Sequence, residues 1–598
     1  MAAHPAHARS RPKGSPMLLV LMALVVVPSV VLADHWGAGP AGIIGGLTGL
    51  FSLVVFMGGP LRADLRLAGV LAPLLVIAAV VPRMVGEVSR PGAIALVVLI
   101  TFVAALLPLA GPRFGNAGLG LGMTTMFGYG YAIRGSADDQ QLVVAAVAGV
   151  LVGLLLRVLF GVADPSKPTR EQIAEVLVGD DPTSATSTAF GTWLSDGRQR
   201  WLADVLEAAS HYRLALRATT LPGTLPGTLP GTPPATLPGA DQGQVDELRG
   251  RASELADRLR AKPGRGTEPQ PAAAQAQVRQ PPRGPSTLEE AARDLDAVEQ
   301  AILGHDTTPV PIERDRRREL TYALLHPSGR LRSIQVRHAF RTALGVLIML
   351  LVTAPLESGD PLVSTVLLAT FGILQASWRD TFAKARNKII GLCGGSLAVA
   401  VILLVAPSEL LVPIAGVSLC LGLWYIVTRP ALGAGFMVVV SVGMNAVTRD
   451  LDPVDLLLQY VGLTLVAVVV GVVVGFTVVP SFRPAPLRRR IEAATQATEA
   501  ALRVSRDDQH PLSEVLALQR VAAQKQEELV PDHEPLDDRQ LADLDRLRTG
   551  LRDLLTLVEA EQLRRDVLDQ ATLEQVLESL AQQTGAAERA LLRTLPAA

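Results

Sequence analysis

The segment WRDTFAKARNK, residues 378–388, carries Arg379, Lys384, Arg386 and Lys388 against one acid, Asp380. Trp378 and Phe382 lie among them. Basic groups beside a low-dielectric wall concentrate anions, an effect that weakens as salt rises. The same residues also suit a plain positive anchor with an interfacial tryptophan. Uncharged polar side chains stand in apolar stretches of the same block: Gln375, Asn445 and Gln459. Amides of this kind pair with a carboxylate or phenol without the cost of a buried ion. Read together, these seven residues outline a passage for a small organic anion.

Other chemistry is absent from the sequence. No HExxH, GxSxG or phosphate-binding loop occurs, and GLGLGM at 118–123 sits in an apolar run with no Lys-Ser/Thr after it. Cys393 and Cys420 fall inside apolar runs and make neither a disulfide framework nor a metal spacing. The reading therefore expects no catalysis, no cofactor and no metal. A net charge of −1 excludes a bulk electrostatic preference for nucleic acid.

The elements that would position these groups are apolar. Twelve stretches approach the roughly 17–25 residues a helix needs to cross a bilayer. They fall at 17–33, 41–59, 66–82, 92–111, 117–133 and 141–162, then at 339–355, 361–377, 389–406, 410–428, 431–448 and 456–479. Arg9, Arg11 and Lys13 precede the first, which is read as a membrane helix and not as a cleaved signal. The expected organisation is an N-terminal tail over 1–16, a six-helix block over 17–162 and a polar helical insert over 163–338. A second six-helix block over 339–480 and a polar helical tail over 481–598 complete it.

Loop charges orient the chain. With the N-terminus inside, short inner loops hold eight basic residues: Arg62, Arg66, Arg113, Arg379, Lys384, Arg386, Lys388 and Arg429. Outer loops hold four, Arg83, Arg90, Arg134 and Arg449. This bias places both termini and the insert in the cytoplasm, in a cell membrane. Arg157, near the inner end of the sixth stretch, is expected to snorkel to the interface.

The two blocks resemble each other in the same direction. PLRADLRLAG ends on Arg66 and Gly69, and WRDTFAKARNKIIG ends on Lys388 and Gly391. RFGNAGLGLGM from Arg113 parallels RPALGAGFM from Arg429. An even number of spans per block makes this a parallel repeat. Gly69, Gly118, Gly391, Gly394, Gly395, Gly433 and Gly435 are the expected close-approach positions between helices.

Helical spacing marks 170–179, 190–218, 242–262 and 287–304, with Trp193, Trp201, Leu202, Val205, Leu206 and Ala209 on one face. The repeat LPGTLPGTLPGTPPATLPG and the Pro-rich stretch 263–286 are expected to be disordered. A basic helical approach is expected over 313–336, and a helical hairpin or small bundle, interrupted at Pro531 and Pro535, over 485–596.

RHAFRTALGVLIML, the following polar turn and WRDTFAKARNKIIGLCGG resemble the fusaric acid resistance protein-like family, also called aromatic acid exporters. The matching positions are Arg341, the 379–388 segment, and Arg386 or Lys388 before Gly391, Gly394 and Gly395. Gln459 before Gly462 departs from the arginine usual in the closing helix. The resemblance covers about 339–480 and carries over no agreed binding residues. It implies an all-α polytopic membrane protein of two parallel six-helix blocks with cytoplasmic helical domains, exporting aromatic carboxylic acids or related amphiphiles. The partners expected are the lipid bilayer and a small organic anion, with no nucleic acid and a homo-oligomer left open. A non-transporting scaffold that recruits partners through its cytoplasmic helices is the alternative.

Overall fold

The computed structural model describes residues 17–110, 113–131, 138–179, 182–220, 239–261, 287–315, 317–318, 334–356, 360–375, 378–405, 407, 410–449, 451–477, 485–505, 510–529, 536–563 and 570–595. Within them the chain is helical, and its one bridge outside a helix joins Gln199 to Pro309. The stretches 221–238 and 263–286, the greater part of 313–336, and Pro531 and Pro535 lie outside the described residues.

Helices occupy each expected apolar stretch. The first set is α1 (Met17–His35), α2 (Gly42–Phe56), α3 (Leu61–Val88), α4 (Arg90–Leu106), α5 (Arg113–Gly130) and α6 (Asp139–Val162). The polar helices α7 (Lys167–Val178), α8 (Pro182–Ser195), α9 (Arg200–Thr220), α10 (Gly239–Arg260) and α11 (Thr287–Gly304) follow. The second apolar set is α12 (Ile334–Val352), α13 (Pro361–Ile373), α14 (Trp378–Val405), α15 (Leu411–Thr428), α16 (Pro430–Arg449) and α17 (Pro453–Thr477). The chain closes with α18 (Leu487–Ser505), α19 (Leu512–Glu527), α20 (Asp538–Leu563) and α21 (Gln570–Thr594).

Among the described residues, six helical stretches are long and apolar enough to cross a membrane: Gly39–Phe56, Leu61–Val88, Arg90–Ala110, Asp139–Val162, Thr381–Val405 and Pro453–Gly475. Val20–His35, Leu362–Ile373, Pro413–Gly422 and Pro430–Gly443 are apolar but shorter. Two expected spans join neither group, α5 with its Asn116 and threonines and α12 with Arg337, His338 and Arg341 in its first turns.

Local chemistry sets several helix starts. Pro361, Pro430 and Pro453 open their helices, where the missing amide proton costs nothing. The Asp360 carboxylate accepts from the Leu362 amide at 2.8 Å, and the Asp452 carboxylate from the Val454 amide at 2.7 Å. The expected inner loop 379–388 is instead helical, as the first turns of α14. It contains no glycine or proline, and its alanines, lysines and arginines are good helix formers.

The chain divides into two compact units. One comprises Met1–Gly58, Asp64–Phe160 and Pro327–Ser481. The other comprises Gly59–Ala63, Gly161–His326 and Phe482–Ala598, so the polar insert and the polar tail belong to one unit.

In the apolar unit, small residues set the closest approaches. A Cβ on Gly149 would lie 2.8 Å from the Gly49 nitrogen and collide with the Gly45 carbonyl, and one on Gly153 would lie 3.0 Å from the Gly49 carbonyl. The pairs Gly45/Gly49 and Gly149/Gly153 thus join α2 to α6 by the small-xxx-small geometry. The same device joins α14 to α16: a Cβ on Gly391 would lie 2.6 Å from the Ala431 carbonyl, and one on Gly395 2.5 Å from that of Gly435. Gly118 abuts Ala104 of α4, and Gly433 lies against Gly422 of α15. Gly69 and Gly394 are exposed with nothing within 4 Å of a would-be Cβ. These two expected contact glycines make no close approach, because each points away from its helix neighbours.

Helix pairings recur between the two sets. The α1–α2 contact matches α12–α13, and α4–α5 matches α15–α16. Across the sets, α4 packs on α12 and α1 packs on α15.

The polar unit has its own core, built on the face expected from the sequence. Trp193, Trp201, Leu202, Val205, Leu206 and Ala209 are all buried in it. Arg170, fully buried, pairs with Asp164 and donates to the Leu259 carbonyl at 3.2 Å and to that of Ala261. It thereby satisfies the open end of α10. In the tail, Leu487, Ile491, Leu547, Leu551 and Leu591 form a bundle core. There α20 packs on α8 and α9 as well as on α18 and α21.

Candidate functional site

The expected passage residues are dispersed. Gln375 lies just past the end of α13, where its Nε2 donates to the carbonyls of Gly372 at 3.0 Å and Leu374 at 2.9 Å, and its backbone N–H donates to Thr381 Oγ1 at 3.1 Å. It therefore closes the end of α13 and ties it to α14. Asn445 Nδ2 returns to the Ser441 carbonyl one turn back at 2.7 Å. Gln459 is exposed on α17. No hydrogen bond joins any two of the three among the described residues. Lys384 and Arg386 are exposed and Lys388 is half-buried on α14, while the side chain of Arg379 lies outside the described residues.

The structure adds residues that the passage reading left out. His338 and Arg341 stand on α12, and both Arg341 and Lys384 bear electrostatically on the His338 imidazole, which also meets the Gln375 backbone. Arg337 bears on Arg341. Arg341 Nε, His338 Nδ1 and Thr342 Oγ1 are buried with no hydrogen-bond partner among the described residues. Gln375 and Lys384 thus meet groups on α12. His338, Arg341, Thr342 and Gly345 share one face at helical spacing. Gly345 fixes where that face points, since its Cβ would lie 3.5 Å from Thr370 Cγ2 and 2.5 Å from Leu374 Cδ1 of the α13 end. Phe340, on another face, is exposed. The sequence signals for this group were two basic residues and a histidine opening an apolar run, with Arg341 a matching position of the resemblance.

A second charged site lies in the first helix set. Arg157 donates from Nε to the Phe56 carbonyl at 3.0 Å and to Asp64 at 2.8 Å, and its Nη2 lies 2.7 Å from the same carboxylate. Both side chains are buried. Snorkelling is overturned here: Arg157 turns inward because Asp64 supplies a counter-ion and the end of α2 an open carbonyl. Two arginines expected in outer loops likewise serve helix ends. Arg83 donates to the Tyr131 carbonyl at 2.8 Å, and Arg90 to those of Thr353 at 3.4 Å and Leu356 at 3.2 Å.

A gap between α14, α15 and α16, lined by Val399, Leu403, Ile414, Val439 and Val442, is apolar and offers a carboxylate nothing. Cys393 and Cys420 are free and exposed on α14 and α15. Compared with known family models, curated proteins and solved structures, the chain matches none.

Proposed function

We propose that the protein is an integral membrane transporter that exports small aromatic or amphiphilic organic acids across the cytoplasmic membrane. The observation that carries this reading is the group of cations at the α12–α14 ends of a largely apolar helical unit. Arg341 and Lys384 surround His338 there, with no carboxylate acting on the imidazole or on Arg341 among the described residues. An apolar unit of this kind suits lipid, and a cationic mouth suits an anionic solute.

In this reading all twelve apolar helices cross the bilayer and the polar unit lies in the cytoplasm. The recurrent helix pairings support a duplicated six-helix block. So does a second glycine pair in α17: Gly471 and Gly475 follow Gly149 and Gly153 at the same separation as Gly391 follows Gly69. The resemblance to aromatic acid exporters supplies the substrate class.

The test is substrate profiling. A strain lacking the gene should become more sensitive than wild type to a subset of aromatic carboxylic acids, and the intact gene should restore tolerance. Equal tolerance across the panel contradicts the reading and favours a scaffold. Deleting the tail does not separate the two, because α20 packs on α8 and α9 and its loss would bare their core.

A further inference from the structure

Two cations stand at one level where α14 and α16 come together. The helices run parallel, because Gly391 lies against Ala431 and Gly435 while Gly395, one turn on, lies against Gly435 and Val438. Lys388 shares the face of Gly391 and Gly395, three residues before the first. Arg429 stands two residues before Ala431 and ends α15, its backbone N–H donating to the Tyr425 carbonyl at 2.7 Å. Counted back from the shared contact, the two lie about 4.5 Å and 3 Å along their chains. Lys388 is half-buried and Arg429 exposed.

No counter-ion comes with this pair. Neither side chain has a hydrogen bond or ion pair among the described residues, whereas Lys384, one turn before Lys388, has interactions of its own. Six of the seven acids in 339–480 lie at the opposite helix ends, at positions 357, 360, 409, 450, 452 and 455. The seventh, Asp380, precedes Lys388 by eight residues, about 12 Å along the α14 axis. Two like charges at one level raise the local potential and draw an anion.

With α14 and α16 crossing the bilayer, the pair falls at headgroup level. The twenty residues of α16 rise about 30 Å, the thickness of the hydrocarbon core, which puts Arg429 at the inner boundary. The longer α14 fits the same frame. Its residues from Lys388 to Val405 rise about 27 Å beside α16, and the ten before Lys388 continue past the boundary. A long side chain at that edge snorkels to the headgroups. The exposed Trp424, five residues before Arg429 on α15, suits an interfacial aromatic belt. Farther into the bilayer, α14 presents an exposed apolar face of Ile390, Leu397 and Val401.

We propose that Lys388 and Arg429 form an inner-leaflet site for one phospholipid of net negative headgroup, its phosphate between the two cations and its acyl chains along the exposed α14 face. The site rests on the spanning reading above and not on transport. One phosphate satisfies an ammonium and a guanidinium together through charge-assisted hydrogen bonds, and basic pockets between membrane helices on the cytoplasmic side suit such headgroups. A zwitterionic lipid brings its own cation to the pair and gains less. Arg66, the counterpart of Lys388 in the first helix set, is also exposed and without a partner among the described residues. Gly69 beside it meets nothing within 4 Å, so no second helix closes on that position.

The test titrates the purified full chain with phosphatidylglycerol or phosphatidylcholine of the same acyl chains and counts retained lipid by native mass spectrometry. One phosphatidylglycerol should be held in preference to phosphatidylcholine. Its affinity should fall about fivefold with Lys388→Gln or Arg429→Gln and about twentyfold or more with both. Arg66→Gln should leave it unchanged. Neither substitution at the site strands a partner, so the variants should melt like the wild type. No preference for phosphatidylglycerol in the wild type, or an affinity that the double substitution leaves unmoved, overturns the site. A loss with Arg66→Gln equal to that with Arg429→Gln overturns it in favour of plain charge attraction. The spanning is read separately in vesicles, from a nitroxide on Leu397→Cys in a chain whose Cys393 and Cys420 are changed to alanine. Oxygen should reach the nitroxide and aqueous nickel should not. Nickel access there means that the spanning reading fails and takes the site with it, whereas shielding without lipid preference sinks the site alone.

Discussion

At the residue scale, the charged groups of the apolar unit divide by whether a partner comes with them. Asp64 and Arg157 are 93 residues apart in sequence and bury each other. Asp64→Ala leaves a buried guanidinium uncompensated and should cost about 3–5 kcal/mol, read as a clear drop in the melting temperature of the purified protein. Replacing both together, Asp64→Leu with Arg157→Met, should restore most of it, and a double variant as unstable as the single would contradict the pairing. In the polar unit, His305 packs at a tilt against Trp201, with ring centroids 4.4 Å apart. Burial, then Arg170, holds its imidazole below the ordinary 6.5. The unfolded chain thus takes up this proton first as pH falls. Stability from this group is full above about pH 6.5 and is lost as pH drops through the lowered folded value. His305 sits at φ 42°, a left-handed backbone that asparagine tolerates. His305→Asn should flatten the acid-side loss of melting temperature between about pH 7 and 5, whereas an unchanged slope would assign it to other groups.

At the element scale, the sequence located the helices but not their faces. Runs of Val, Leu, Ala and Gly mark a buried or lipid-facing helix by length alone, since such a helix has no polar stripe to tell lipid from protein. Gln459 and Gly69 therefore read as interior and prove exposed, while Gly45 and Gly149, which make the tightest α2–α6 contact, went unremarked. In the polar unit the period of 3.6 separates core from solvent, and the Trp193–Ala209 face was legible for that reason. The contrast is measurable. Gly149→Ala forces a methyl against the α2 backbone and should cost about 1–3 kcal/mol. Gly69→Ala meets nothing within 4 Å and should be neutral or stabilise by about 0.5–1 kcal/mol. Equal effects on melting would show that these glycines do not set helix approach.

At the scale of the whole molecule, the candidate site was half legible. The basic segment 379–388 stood out by charge density, but its partners on α12 come together only through packing against the end of α13. Arg341 stood out in sequence only as a matching position of the resemblance, with nothing to say what it would meet. The central claim is that all twelve apolar helices cross the membrane with the polar unit inside. Impermeant thiol labelling of intact cells tests it most directly, in a chain whose Cys393 and Cys420 are first changed to alanine. New cysteines at the exposed positions Glu87 and Asp452 should react from outside, and one at the exposed Arg249 should react only after the cells are opened. Labelling of position 249 in intact cells, or protection of both 87 and 452 there, would contradict the account.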